Sequence, residues 1–169
     1  MQRVDLFFVC YGMLPDQQQC EQSAAHLFAS FKINVMSMIG WVSLAANYLE
    51  HEGQGTLAVV TSVAGDRGRR SNYIYGAAKG ALSIFLQGVR LRLQHPKIQV
   101  LTIKPSLVDT PMTKDFNKGI LWASPEYVGQ KIVAAIEKKR SVVYIPAFWR
   151  GIMLILQLIP ECIFKRLKI

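Results

Sequence analysis

Ser62-Val63-Ala64-Gly65-Asp66-Arg67-Gly68-Arg69-Arg70-Ser71-Asn72-Tyr73-Ile74-Tyr75-Gly76-Ala77-Ala78-Lys79 follows a very apolar run, Thr56 to Thr61, and enters a helical pattern near Asn72. An apolar run of strand length, a polar turn and then a helix is the start of a parallel β-α unit. Tyr75 and Lys79 are four residues apart, so they share one helix face. A hydroxyl at a strand end, a phenol and an ammonium group thereby converge. A free tyrosine titrates near pH ~10, and a lysine cation one turn away is expected to favour its phenolate. The Ser62 hydroxyl can hydrogen-bond an oxygen that gains charge. The trio suits proton transfer to or from a carbonyl oxygen, with hydride coming from a cofactor.

Outward from this stretch the same alternation continues. Leu6 to Cys10 reads as a strand buried on both faces, and Pro15 with the glutamines at 17 to 19 reads as a loop. Glu21 to Leu49 carries a helical stripe of Phe28, Phe31, Val35, Met38, Val42, Ala45 and Leu49, with the polar Asn34 beside it. Thr56 to Thr61 is the next strand. The helix from Tyr73 to about Leu93 turns Ala78, Leu82, Phe85, Leu86, Val89 and Leu93 inward and stops at His95-Pro96. Its Gly76 and Gly80 allow close backbone approach, as at a helix–helix dimer face. Ile98 to Ile103 is a third strand, and Lys104 to Leu121 is mostly loop. Ser124-Pro125-Glu126 starts a helix that runs to about Lys139, and Ser141 to Ile145 is a short last strand. The order β-α-β-α-β-α-β predicts an α/β fold, a doubly wound parallel sheet with helices on both faces. Ligands bind such sheets beyond the carboxyl ends of the strands, where Gly12, Ser62 and Pro105 lie.

These residues resemble the short-chain dehydrogenase/reductase family. Tyr75-Gly76-Ala77-Ala78-Lys79 matches its Tyr-x-x-x-Lys pair, Ser62 stands thirteen residues before Tyr75, and Asn34 lies in the preceding long helix. Pro105-Ser106-Leu107-Val108-Asp109-Thr110 matches the family's segment after the next strand, with Ser106 in place of glycine. The resemblance implies a Rossmann-like fold and an NAD(P)-dependent oxidoreductase that interconverts a carbonyl and a secondary alcohol. It implies Tyr75 as general acid/base and Lys79 as the group that lowers its pKa and bonds the nicotinamide ribose. Ser62 would orient the substrate oxygen, and Asn34 would hold a water in a proton relay. Pro105, Val108 and Thr110 match positions beside the nicotinamide carboxamide, and NADP or NAD would be the cofactor.

The match covers about Val4 to Ile145, the family's strands 4 to 7. No glycine-rich strand–turn–helix occurs in the chain, and Val9-Cys10-Tyr11-Gly12 keeps only the glycine of the family's Asn-Asn-Ala-Gly. The expected unit is therefore an N-terminally truncated catalytic domain, 1–145, lacking roughly 70–80 residues of the dinucleotide-binding half, with a tail at 146–169. That leaves a non-catalytic remnant, serving dimerisation or membrane-surface association, as the alternative reading.

In the tail, Ile152 to Ile159 is apolar nearly all round, between Phe148, Trp149 and Arg150 and the basic Lys165, Arg166 and Lys168. Such a helix lies in a membrane interface or docks on the body or a second subunit. Its sequence resembles the ending of bacterial reductases of lipid-linked keto-sugars, such as the decaprenylphosphoryl keto-sugar reductases. That resemblance implies a lipid-linked carbonyl or alcohol as one substrate class. Half the 169 residues are hydrophobic and the net charge is +9. That excess lacks the basic–aromatic interleaving of a nucleic-acid reader, so no nucleic-acid partner is expected. Arg67, Arg69 and Arg70 either meet a phosphate or form a solvated loop. Cys10, Cys20 and Cys162 show no metal-ligand spacing and read as buried free thiols. No uninterrupted apolar segment reaches spanning length. The expected location is cytoplasmic, with membrane contact through the tail as one reading, and the expected assembly is a homo-oligomer.

Overall fold

A computed structural model describes residues 3–167, so Lys168 of the basic tail lies outside the described residues. Parallel strands β1 (Leu6–Val9), β2 (Gly55–Val60), β3 (Ile98–Pro105) and β4 (Val142–Ile145) lie side by side in chain order. Phe7 is in register with Leu57, Leu57 with Val100, and Ile103 with Val143. The helices are α1 (Gln17–Gln22), α2 (Ala24–Phe31), α3 (Met38–Glu52), α4 (Tyr73–Arg92), α5 (Pro125–Glu137), α6 (Trp149–Leu158) and α7 (Glu161–Phe164).

Two apolar layers hold the sheet. Leu57, Val59 and Val100 bury one face against Met38, Val42 and Leu49 of α3 and Leu82 and Leu86 of α4. Ala58, Leu101 and Ile103 bury the other against Val128 and Ala135 of α5. Each fully buried aliphatic side chain here contributes about 1.5–3 kcal/mol. The largely apolar runs of β2 and β3 follow from this two-sided cover. Ser124 caps α5, accepting from the Tyr127 N–H at 3.2 Å, with Pro125 at the first position.

The first strand departs from expectation. Leu6 and Phe8 are 45% and 46% exposed, while Phe7 and Val9 pack against the core. β1 is the sheet edge, and α5 sits over β3 and β4, so among the described residues nothing covers the face carrying Leu6 and Phe8. Phe7, Val9, Trp41, Leu44 and Tyr48 line a groove of about 550 Å³ along this edge. Cys10 lies beyond the strand and is exposed, as is Cys162, and Cys20 alone is buried among the three free thiols.

The long N-terminal helix also differs. Asp16 caps α1, its carboxylate accepting from the Gln19 N–H at 2.8 Å, so the glutamines are helical and not loop. Ser23, in extended conformation, separates α1 from α2. A π-helical segment, Lys32–Ser37, then joins α2 to α3. The wider turn shifts the helix phase, so Ser30 and Asn34 face inward and Phe28, expected in the core, is 67% exposed. Together Ala24–Glu52 is 29 residues, long and apolar enough to cross a membrane by length and composition, though Lys32, Asn34 and Asn47 interrupt its apolar run. In this fold its α3 part is committed to the sheet through Met38, Val42, Ala45, Ala46 and Leu49.

The tail docks on the body. Trp149 and Met153 of α6 bury against Val63, with Leu107, Tyr144, Ile152 and Leu156 around them. The opposite face of α6 stays open, with Leu154, Ile155 and Leu158 at 57%, 64% and 73% exposure.

Candidate active site

The site is built where β2 ends. Ser62, in extended conformation, caps the 3₁₀ turn Val63–Gly65, and its Oγ accepts from the Ala64 N–H at 3.1 Å. The turn lies directly on α4. A Cβ on Gly65 would come within 2.6 Å of Gly80 N, one on Gly76 within 2.8 Å of Ala64 O, and one on Gly80 within 3.0 Å of Gly65 O. Gly76 and Gly80 therefore serve this internal contact and not a partner helix. Their packing brings the Ser62 hydroxyl beside the Tyr75 phenol.

Lys79, 2% exposed, lies one turn further along α4. Its Nζ donates to the Val60 carbonyl at 3.2 Å and stands 5.8 Å from the Tyr75 ring centroid. Burial lowers the ammonium to about 8. Tyr75 moves oppositely: burial raises its phenol above the ordinary tyrosine value, and the Ser62 hydroxyl pulls it back only in part. The expected depression of Tyr75 by Lys79 is absent in this geometry, because the ammonium is turned to Val60 and desolvation of the phenolate dominates.

Asn34 is fully buried in the π segment. Its Nδ2 donates to Met13 O at 2.9 Å and Ser30 Oγ at 3.2 Å, and its Oδ1 accepts from Met13 N at 3.0 Å. This carboxamide fixes the backbone after β1. A Cβ on Gly12 would lie 3.0 Å from Asn34 Oδ1 and 3.3 Å from Lys79 Nζ, so Gly12 keeps the space between the two side chains open. Ser62, Tyr75, Lys79 and Asn34 thus form one group at the strands' carboxyl edge.

Pro105 ends β3, and its carbonyl accepts from Ser62 Oγ at 3.5 Å. Val108 and Thr110 lie further along a loop tied down by Thr113, whose hydroxyl donates to Val108 O at 2.7 Å and accepts from Thr110 N at 3.2 Å. Of the three arginines expected to meet a phosphate or solvent, Arg67 is spent on the tail, donating to Gln157 O and pairing with Glu161. Sequence reasoning also missed a buried cluster beside the serine turn, Asp66 with Lys104 and Tyr144. Its only local signal was an acid inside an arginine-rich loop.

A parallel α/β sheet with serine, tyrosine and lysine at its carboxyl edge and asparagine behind them defines a Rossmann-like protein. The chain belongs to the short-chain dehydrogenase family, whose model matches residues 1–120. An uncharacterised oxidoreductase of Mycobacterium tuberculosis is 31% identical over 159 residues, 94% of this chain and 64% of that protein. One from Streptomyces coelicolor is 29% identical over 166 residues, 98% of this chain and 66% of that protein. The chain thus spans just under two thirds of the length of these relatives. In fold it matches a short-chain dehydrogenase of Burkholderia cenocepacia in complex with NADP, with TM-score 0.76 and 18% identity over 93% of this chain and 70% of that one. A short-chain dehydrogenase of Sphingobium yanoikuyae in complex with NADPH has TM-score 0.75 and 18% identity over 94% and 66%.

Proposed function

We propose that this chain is the catalytic part of an NAD(P)-dependent oxidoreductase that interconverts a carbonyl and a secondary alcohol. The carrying observation is the convergence of Ser62, Tyr75 and Lys79 at the strand ends, with Asn34 and Gly12 against the lysine. The residues present fit the nicotinamide–ribose end of a dinucleotide. Lys79 has N–H donors beyond the one given to Val60, and Gly12 leaves room beside it. When bound, the nicotinamide supplies or accepts the hydride. Ser62 donates a hydrogen bond to the substrate oxygen and orients it. Tyr75 gives that oxygen its proton in reduction and takes it back in oxidation. Lys79 holds the ribose and, as a cation, favours loss of the Tyr75 proton once the two are drawn together. Asn34 braces the Gly12–Met13 backbone and, in a relay, would hold a water between itself and Lys79. Pro105, Val108 and Thr110 would contact the carboxamide side. The NADP and NADPH in the two solved relatives support a nicotinamide dinucleotide, NADP or NAD.

The substrate is a small-molecule or lipid-linked carbonyl. The tail supports the second class and a peripheral membrane contact. Leu154, Ile155, Leu158 and Ile163 face outward, and Arg150, Lys165 and Arg166 stand on the same two helices and just after them. Apolar side chains open on α2 and α4, Phe28, Ile84 and Leu91 among them, support self-association. The test is NADPH- or NADH-linked turnover by the full gene product against ketones and lipid-linked keto-sugars. Turnover that disappears in Tyr75→Phe supports the assignment, and turnover retained in that variant refutes it.

A second reading, a non-catalytic remnant, is favoured by one observation: no glycine-rich phosphate-binding turn occurs in these 169 residues. Calorimetry of the 169-residue chain with NADPH or NADH separates the readings, because tight binding there removes the basis for a remnant.

A further inference from the structure

Asp66 is the only acidic residue between Ser62 and Lys79, and its side chain is 3% exposed. Its Oδ1 accepts from Lys104 Nζ at 2.5 Å and its Oδ2 from the Tyr144 hydroxyl at 2.8 Å. Its backbone carbonyl accepts from Gln157 Nε2 of α6 at 3.1 Å. The next residue, Arg67, donates to Gln157 O at 3.1 Å, pairs with Glu161 of α7 at 2.9 Å and lies 4.2 Å above the Phe164 ring. The turn after β2, the ends of β3 and β4, and both tail helices therefore meet at two consecutive residues.

The carboxylate is not needed to hold the sheet. β3 and β4 are already paired through Lys104 and Tyr144, and these two side chains also approach each other at 3.5 Å. What Asp66 adds is the turn. Lys104 precedes Pro105, whose carbonyl receives the Ser62 hydroxyl, and Val63 and Leu107 both pack into the cluster formed by Trp149 and Met153. The two segments that flank the candidate site are thus joined to the same tail helix. Burial and the carboxylate beside it raise the Tyr144 phenol well above its ordinary value, so it stays a donor to Asp66.

We propose that Asp66 is a positioning residue, fastening α6, α7 and the segment after β3 to the turn that carries Ser62 and making the tail a wall of the candidate site. The proposal rests on Ser62 being the substrate-orienting group. A buried carboxylate with two donors from other elements has one low-energy arrangement, and loss of its charge leaves Lys104 buried without a counterion. The turn and the tail should then loosen together.

The test uses the ¹⁵N-labelled 169-residue chain with Asp66→Asn, Tyr144→Phe and the double variant Asp66→Asn, Lys104→Met. In D66N, amide exchange across α6 should rise by about tenfold or more while Leu82 and Leu86 of α4 stay within about twofold. The Ala64 amide resonance, which reports the bond to Ser62 Oγ, should move in D66N and in Ser62→Ala alike. The double variant removes both buried charges and should bring α6 exchange back to within about threefold of the parent. Unchanged α6 exchange, or an unmoved Ala64 resonance, in D66N overturns the proposal. Should D66N not fold, Y144F removes a single hydroxyl and must show the same two changes at smaller size. In the full gene product, D66N should lower kcat by about tenfold or more with the dinucleotide KM within about twofold. If S62A leaves turnover intact, the reading of the site fails. If S62A is slow and D66N has the parent kcat, the positioning role alone fails.

Discussion

The Lys79 ammonium donates to the Val60 carbonyl at 3.2 Å and is 2% exposed, a buried cation on a backbone dipole. Its pKa, about 8, lies below the ordinary lysine value of 10.5. Between these values the unfolded chain holds a proton that the folded chain releases, so stability rises with pH across that window. Below about pH 8 the destabilisation is fully present, on the order of 3 kcal/mol. Lys79→Met should therefore be more stable than the parent at pH 7 by about 1–3 kcal/mol and should lose the rise between pH 8 and 10. Urea unfolding at pH 7, 8, 9 and 10 measures both. An unchanged slope in K79M would mean that Lys79 is not the group responsible.

Tyr75 is held protonated by burial, and it should donate its proton readily only when a charge is brought beside it. Tyr75→Phe in the full gene product should reduce kcat by about 10²–10⁴-fold with the fold intact by circular dichroism. In the parent, reduction needs the phenol protonated, so its rate should fall as pH rises through the phenol's pKa, and oxidation should rise over the same range. A pH–rate profile of the same shape in Y75F would place the titrating group elsewhere.

Glycines on one helix should respond in opposite senses. A Cβ on Gly80 meets the Gly65 carbonyl at 3.0 Å and one on Gly76 meets the Ala64 carbonyl at 2.8 Å, and both neighbours are backbone. Gly76→Ala and Gly80→Ala should each destabilise by about 1–3 kcal/mol and slow turnover by shifting the serine turn. Gly88, with nothing within 4 Å of its Cβ position, should tolerate alanine and gain about 0.5–1 kcal/mol from helix propensity. Thermal unfolding of the three variants decides, and equal effects would show that the turn gives way freely.

On α6, Ile155 and Leu158 point away from the body while Trp149 and Met153 point into it. Replacing Ile155 and Leu158 by aspartate should leave unfolding within about 0.5 kcal/mol of the parent. The same change should abolish co-sedimentation with anionic phospholipid vesicles. Equal sedimentation before and after would assign the outward face to protein contacts. Sedimentation by neither protein would remove the membrane from the reading.

Much of this was readable along the chain. The runs at 56–61 and 98–103 are largely apolar because both sheet faces are covered. Ser124-Pro125 announces α5 through a local cap. The spacing of Ser62, Tyr75 and Lys79 needs only one turn and one helix to become proximity. Other features depend on contacts distant in sequence. Asp66 meets Tyr144 across 78 residues, and no local pattern marks that pair. Phe28 lost its place in the core to a single wider helical turn, and Gly76 and Gly80 met a neighbouring loop in place of a second helix.

The chain's order of residues determined the α/β alternation, the strand ends where the site lies and the identities of Asn34, Ser62, Tyr75 and Lys79, because these follow from periods of two and 3.6 and from short spacings. Whether Lys79 reaches the phenol or a carbonyl, which way burial drives Tyr75, and that the tail is clamped to the serine turn through Asp66 were decided by packing in three dimensions. Desolvation and long-range ion pairing depend on what surrounds a group, and those surroundings exist only after the chain has folded.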